Sequence, residues 1–378
     1  MMERWYIITP RDPVLARDGR PFTADPGALA ESLPWPLPTT TAGALRTHIG
    51  NANNFDWHDG GPARARRIGV AGPFLIAAIG QDWVPYFPAP LDAFCYGPKG
   101  AVQVSRLRPM QSPNGKANFP LEGLLPLKIE VEEKPAKGYD YWSWEDTRAW
   151  LFGDAVTPPA HWLPQLPAET RIHVKIDAKT GARETGMLFS TESRCFCDVT
   201  RNIIRPTGPR VAMLVRVRDG DALTCPDGFL PIGGERRLSF LAGIVGNFFP
   251  LPAQWTPTRY LKLQFITPGL FTYGWRPDWI DEDLRGTLCG IGLTLKSAAI
   301  GRRIAVSGWD LESRGPKAAR YAVPAGSVYF FEADREIDVD MLQRLWLCAL
   351  CDKPEDNNDG FGLALPGRWE YANEGETV

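Results

Sequence analysis

Four histidines occur in the chain, and one stands where general-base chemistry has its usual neighbours. His48 follows Arg46 and Thr47 at the end of the run Thr41-Ala-Gly-Ala-Leu-Arg-Thr-His. A histidine there can take the proton of a ribose 2′-hydroxyl while Arg46 or Arg17 stabilises charge on the phosphorus oxygens. Metal-free RNA cleavage needs only a base, an acid and positive charge. The commoner use of a helix-end histidine is a bond to the last backbone carbonyls. His58-Asp59 has the form of a metal-binding dipeptide but sits in a stretch rich in Asn and Gly. Cys195-x-Cys197 and Cys348-x-x-Cys351 offer four thiols of the kind zinc takes, the first pair at strand spacing and the second at helix spacing. Cysteine is more often a small buried apolar residue, so no metal and no cofactor are expected. Phosphate-binding loops, dinucleotide fingerprints and the G-x-S-x-G elbow are absent from the sequence.

A binding constellation is richer than any catalytic one. Arg17, Arg20, Arg46, Arg236, Arg237, Arg302, Arg303, Arg314 and Lys317 mostly lie in turns marked by glycine or proline. Phe22, Trp35, Phe240, Tyr273, Trp275 and Trp309 interleave with them. Arginine on phosphates with aromatic rings on splayed bases is how single-stranded RNA is held. Gly233-Gly234, and Gly360 with Gly362, would let backbone N–H groups approach phosphate closely.

The elements that must position these groups follow from periodicity and turn chemistry. Trp5 to Thr9 reads as a buried strand closed by Pro10. Asp18-Gly19 marks a turn that carries Arg17 and Arg20 outward. Pro34, Pro36 and Pro38 keep the next stretch extended. A threonine among 39–41 should cap a helix that Gly50 ends. Strands are expected at 70–79 and 83–87, and a helix at 144–152. Further strands are expected at 171–176, 187–194, 211–217 and 260–267. A helix at 339–351 and a glycine-framed strand near the C-terminal end complete the pattern. A strand followed by a helix at the first spacing opens a β-α-β-β-α-β unit.

The bulk numbers fit this. A chain of 378 residues suits two domains, and 44% hydrophobic content is globular. Forty-two Lys and Arg against 44 Asp and Glu give a net charge of −2, which disfavours a free-standing nucleic-acid binder but leaves room for a local basic groove within an assembly. The apolar stretch 240–253 is shorter than the roughly 20 residues a membrane span needs. No signal peptide is read, so a cytoplasmic protein with reduced thiols is expected.

Five blocks occur in order: Val14-Leu-Ala-Arg-Asp-Gly-Arg-Pro-Phe22, Thr41-Ala-Gly-Ala-Leu-Arg-Thr47, Leu230-Pro-Ile-Gly-Gly-Glu-Arg-Arg-Leu238, the run 308–331, and Asp359-Gly-Phe-Gly-Leu-Ala-Leu-Pro-Gly-Arg-Trp369. Together they resemble the third Cmr subunit of type III-B CRISPR effector complexes, a RAMP protein of the Cas-five-like group. The resemblance implies an α+β chain of two ferredoxin-like (RRM-like) domains. We place them at 1–185 and 186–378, the first with a projecting β-hairpin insertion at about 95–138 and the second with a glycine-rich loop. It implies a non-catalytic subunit that grips the 5′ repeat-derived tag of crRNA beside the large Cas-ten-type subunit and the backbone subunits, with target RNA met indirectly and no membrane. It carries RNA contact to Arg17, Arg20, Arg46, Gly233, Gly234, Arg236 and Arg237. The alternative is an endoribonuclease of repeat RNA with His48 as base, because some relatives cut RNA with residues near the first helix.

Overall fold

The structure, a computed structural model, describes residues 2–17, 28–98, 100–111, 118–129, 131–154, 162–196, 210–220, 223–252, 255–310 and 315–372. Its main elements begin with β1 (Met2–Pro10), β2 (Leu29–Ala30), α1 (Pro38–Ala52), α2 (Gly61–Arg66), β3 (Gly69–Ile79), β4 (Asp82–Pro88), β5 (Tyr141–Ser143) and α3 (Trp144–Leu151). Then come β6 (Ala168–Ile176), β7 (Arg183–Arg194), β8 (Val211–Asp219), β9 (Gly228–Ile232) and β10 (Arg237–Ile244). The remainder is β11 (Thr258–Phe265), β12 (Arg285–Leu288), β13 (Ile291–Ala299), β14 (Val328–Ile337), α4 (Val339–Leu345), β15 (Cys348–Ala349), α5 (Pro354–Asp359) and β16 (Leu363–Arg368). The chain is a mixed α/β fold dominated by sheet, with few helices.

Two large sheets organise it. The first has seven strands in the order β9-β10-β1-β8-β3-β4-β5, and the second has six in the order β12-β13-β14-β11-β16-β15. Each contains four strands whose spatial order, counted along the chain, is 4-1-3-2: β10-β1-β8-β3 in one and β16-β11-β14-β13 in the other. The first sheet keeps a helix, α1, on its first crossover. The second keeps α4 on its last.

Apolar alternation explains the layering. Along β1, Tyr6 and Ile8 face Ala42, Leu45 and Ile49 of α1, while Ile7 faces the other way. On that second face Ile7, Phe74, Ile76 and Leu214 meet Ile266, Leu363 and Leu365 of the second sheet. Leu263, Phe331 and Leu345 then close the far side beneath α4. Each such side chain, fully buried, stabilises the fold by about 1.5–3 kcal/mol. A buried ion pair joins the second sheet to the turn that follows β4. Lys262 on β11 lies 2.7 Å from Asp92, and both side chains are 1% exposed. The Trp150 indole N–H donates to the other oxygen of Asp92 at 2.7 Å. Burial pulls Lys262 down to about 8 despite that carboxylate.

Four expectations need correction. The boundary at 185/186 falls inside β7; β8, β9 and β10 complete the first sheet, and the sheets part between Ile244 and Thr258. The described residues within 95–138 do not pair as one projecting hairpin. They make short pairs, 93–96 with 103–106 and 108–109 with 127–128, and Leu125 donates its N–H to Lys296 on β13 at 2.7 Å. The long exposed hairpin is β6–β7 instead, paired from Ala168↔Arg194 to Ile176↔Arg183. Helix α1 starts at Pro38 without a side-chain cap, and it runs through Gly50. That glycine makes room for a ring: a Cβ there would lie 2.5 Å from Trp57. Finally, α4 stops at Leu345, because Trp346 is extended and Leu347 is left-handed at φ 53°.

Candidate nucleic-acid interface

The segment before Arg17 is tied to three neighbours by backbone bonds. Val14 and Arg194 of β7 exchange both N–H groups at 2.9 and 2.8 Å. Ala16 accepts from Leu33 at 2.8 Å, and Arg17 forms an isolated bridge with Ser32. Gly234 donates to the Leu15 carbonyl at 2.7 Å. The last bond brings the Gly-Gly-Glu-Arg-Arg turn against the Arg17 segment across more than two hundred residues of sequence. Gly233 is required there: φ is +68° and a Cβ would lie 2.5 Å from the Leu15 oxygen. Glu235 and Arg236 follow in left-handed conformation, at φ 57° and 50°, a region side chains seldom adopt. Arg236 is exposed, and Arg237 turns back to pair with Glu235.

The root of the β6–β7 hairpin completes this corner. His173 stacks on Phe189 with centroids 5.1 Å apart, bonds the Thr191 hydroxyl at 2.8 Å and lies 3.9 Å from Glu235. Arg171 pairs with Glu169, whose hydrogen bond holds the guanidinium above its ordinary range. Arg194 points inward, onto the carbonyls of Ser32, Leu33 and Leu166. None of these three was singled out from the sequence. The signal for the hairpin was present in Asp177 to Gly181: Asp177 accepts from the N–H groups of Lys179 and Thr180 at 2.8 Å, a side-chain turn.

Other sequence candidates lie elsewhere. The Arg46 guanidinium donates to Ile68 and Asn358 carbonyls and pairs with Asp359, locking α1 to the start of β3 and to α5. His48, two residues on, is on another face of the helix. Its Nε2–H donates to the Pro226 carbonyl at 2.8 Å, so the helix does not gather His48 with Arg46. Arg302, Arg303 and Lys317 are exposed near the short pair 304–306 with 320–322, and Arg303 lies over Tyr321 at 4.1 Å. Arg20 and Arg314 lie outside the described residues. A cavity of about 850 Å³ opens between the two basic regions, lined among others by Leu33, Trp35, Tyr86, Tyr139 and Ile304.

Among the described residues no cluster of three or more His, Cys, Asp or Glu is placed to hold a metal. The Cys351 thiol accepts the Leu270 N–H at 3.2 Å, and burial pushes it up to about 12. Cys197 lies outside the described residues. No described helix is long and apolar enough to cross a membrane.

A model of the Cas_Cmr3 family, described as CRISPR-associated protein, matches residues 6–369. The chain belongs to that family. No curated protein matches the sequence. Among solved structures, similarity extends to a chain of the Type III-B Cmr-beta bound to cognate target RNA and AMPPnP, at 18% identity and a TM-score of 0.47, over 86% of both chains. A chain of Cmr-beta bound to cognate target RNA is 16% identical, with a TM-score of 0.47 and the same coverage. A chain of a Csm3-Csm4 subcomplex in the type III-A interference complex is 10% identical, with a TM-score of 0.36, over 89% of this chain and 95% of the other. The family match spans the Arg17 segment, the Gly-Gly-Glu-Arg-Arg turn and the basic residues after β13.

Proposed function

We propose that the chain is a non-catalytic, RNA-binding subunit of a type III-B CRISPR effector complex. It holds the 5′ repeat-derived tag of crRNA and docks the large Cas-ten-type subunit and the backbone subunits. Each half is read as a ferredoxin-like unit, which the recurrent 4-1-3-2 strand order supports. The observation that carries the reading is the bond from Gly234 to Leu15, which joins Arg17 to the turn bearing Arg236 and Arg237. Arg17 and Arg236 hold phosphates there, with the Gly233-Gly234 backbone close by; Arg20, which lies outside the described residues, and Arg237, which would have to leave Glu235, are further contacts. Arg302, Arg303, Arg314 and Lys317 extend the track. Arg46, expected as a contact, instead fixes α1 against Ile68, Asn358 and Asp359 and is left out of the contact set. The resemblance implies a projecting hairpin, expected at about 95–138, that wedges at the boundary of tag and guide; we assign that part to the exposed β6–β7 hairpin instead.

Salt dependence tests this. Arg17→Ala with Arg20→Ala should weaken tag RNA binding and make log Kd against log salt shallower by roughly 0.7 per lost phosphate contact. An unchanged slope removes these arginines from the contact set. Labelled repeat RNA should stay intact with the purified protein in EDTA. Cleavage that disappears in His48→Ala would replace the scaffold by a nuclease.

A further inference from the structure

Glu235 stands between an arginine and a histidine that belong to different elements. One of its oxygens pairs with Arg237 in the Gly-Gly-Glu-Arg-Arg turn, and the other lies 3.9 Å from Nε2 of His173 on β6. The Arg237 side chain is 13% exposed, and its Nε–H is buried without a hydrogen-bond partner among the described residues. A buried donor left unpaired costs about 1–3 kcal/mol, so the hold of Glu235 on Arg237 is incomplete. His173 is better prepared for a carboxylate. Its ring stacks on Phe189 with planes at 14°, and Nε2 has the Thr191 hydroxyl at 2.8 Å. An imidazolium would keep both neighbours and gain an ionic attraction to Glu235.

The charges at this corner come from four segments. Alternation along β6 sets Glu169, Arg171 and Lys175 on the His173 side, opposite the uncharged Phe189 and Thr191 of β7. Glu192 and Arg194 of β7 pair with each other on the other face. The segment after β1 brings Arg11, Asp12 and Arg17, and the turn brings Glu235, Arg236 and Arg237. Glu169 first, then Glu235 and Asp12, hold the Arg171 guanidinium above its ordinary range. Every carboxylate here keeps its charge. A phosphate entering on Arg237 therefore adds a negative charge beside a Glu235 that has lost its cation. Of the groups named, His173 is the one that can gain a positive charge near neutral pH.

We propose that RNA binding at this corner exchanges the partner of Glu235: Arg237 leaves for a phosphate, and His173 takes up a proton from solvent and holds the carboxylate in its place. Glu235 is then an internal stand-in for the phosphate, and His173 is a positioning residue that touches no RNA. The proposal rests on the RNA-binding reading above and deepens it, because it couples the Arg237 contact to a proton. The RNA-bound chain holds the proton more tightly than the free chain. Binding is therefore tightest at the acid end of the histidine range and weakens as pH rises through it.

Fluorescence anisotropy of the full chain at constant ionic strength tests it, with a 3′-labelled, 5′-hydroxyl oligouridine of about ten nucleotides. Kd should rise about tenfold between about pH 6 and pH 8. Glu235→Gln removes the charge that Arg237 and His173 share; it should bind at pH 8 at least as tightly as the parent and show the same Kd at pH 6. His173→Gln keeps a hydrogen bond for Thr191 and should lose the pH dependence as well. Circular dichroism checks that both variants are folded, and the parent profile requires neither. A parent Kd equal within twofold at the two pH values overturns the exchange. So does pH dependence that survives in His173→Gln, which puts the proton elsewhere, or in Glu235→Gln, which makes His173 a direct phosphate contact. If Arg17→Ala weakens binding and the parent shows no pH dependence, the exchange falls while the proposed function stands. If the intact chain binds no RNA, both fall.

Discussion

Arg46 carries its charge into the molecule. Two backbone carbonyls and Asp359, 313 residues away, share its guanidinium. Arg46→Ala should therefore cost about 1–3 kcal/mol of stability, seen in thermal unfolding, and leave RNA affinity within twofold. The sequence showed an arginine on a short helix but not a carboxylate arriving from the far end of the chain. Gly233 differs. The Gly-Gly-Glu-Arg-Arg motif was legible as a turn, because glycine there is explained by local backbone alone. What the sequence did not show was Leu15 as the group that fills the space beside it. Gly233→Ala should disrupt the turn and weaken RNA binding together, measured on one preparation by unfolding and anisotropy. Lys262 gives a prediction in pH. Its folded pKa of about 8 lies below the roughly 10.4 of an unfolded lysine. The unfolded chain binds more protons between those values. This lysine's contribution therefore rises from pH 8 to about 10 and is least favourable below pH 8. Lys262→Met should flatten that part of the stability profile. Asp92→Ala leaves the ammonium buried alone and should lower stability at pH 7 by about 3–5 kcal/mol.

The strands were the most legible elements, since alternation and flanking turn residues are local signals. The expected strand at 70–79 lies within Gly69–Ile79 and the helix at 144–152 overlaps Trp144–Leu151. Pairing was not legible, because it depends on partners distant in sequence. Residues 171–176 and 187–194 looked like strands closing one unit and opening the next. They pair with each other, and the Asp177 turn decides it. On one face of this hairpin Ile172 is 71% exposed, and Val174, Ile176 and Leu188 are open too. Replacing 172–188 by a short glycine linker should leave both large cores folded, with the far-ultraviolet spectrum and cooperative unfolding preserved. Loss of the cooperative transition would mean that the hairpin stabilises the body.

The two sheets pack face to face, and Ile7, Phe74 and Leu214 of one touch Ile266, Leu363 and Leu365 of the other. A two-part chain was expected from length, but a shared core was not, since nothing in a periodicity names the surface an apolar face will meet. Residues 1–250 expressed alone should bind the dye ANS strongly, and the whole chain should unfold in one transition. The register of β1 has a consequence for synthesis. Its neighbours are β8 and β10, with Met2 opposite Asp219 and Trp5 opposite Ile244. Roughly 200 residues separate the strand from its partners, so at about 5–20 residues per second the ribosome needs about 10–40 s to deliver them. Through that interval Tyr6, Ile7 and Ile8 have no sheet to enter. The nascent chain must be shielded by a chaperone, or by α1 lying over the strand, until the closing strands emerge.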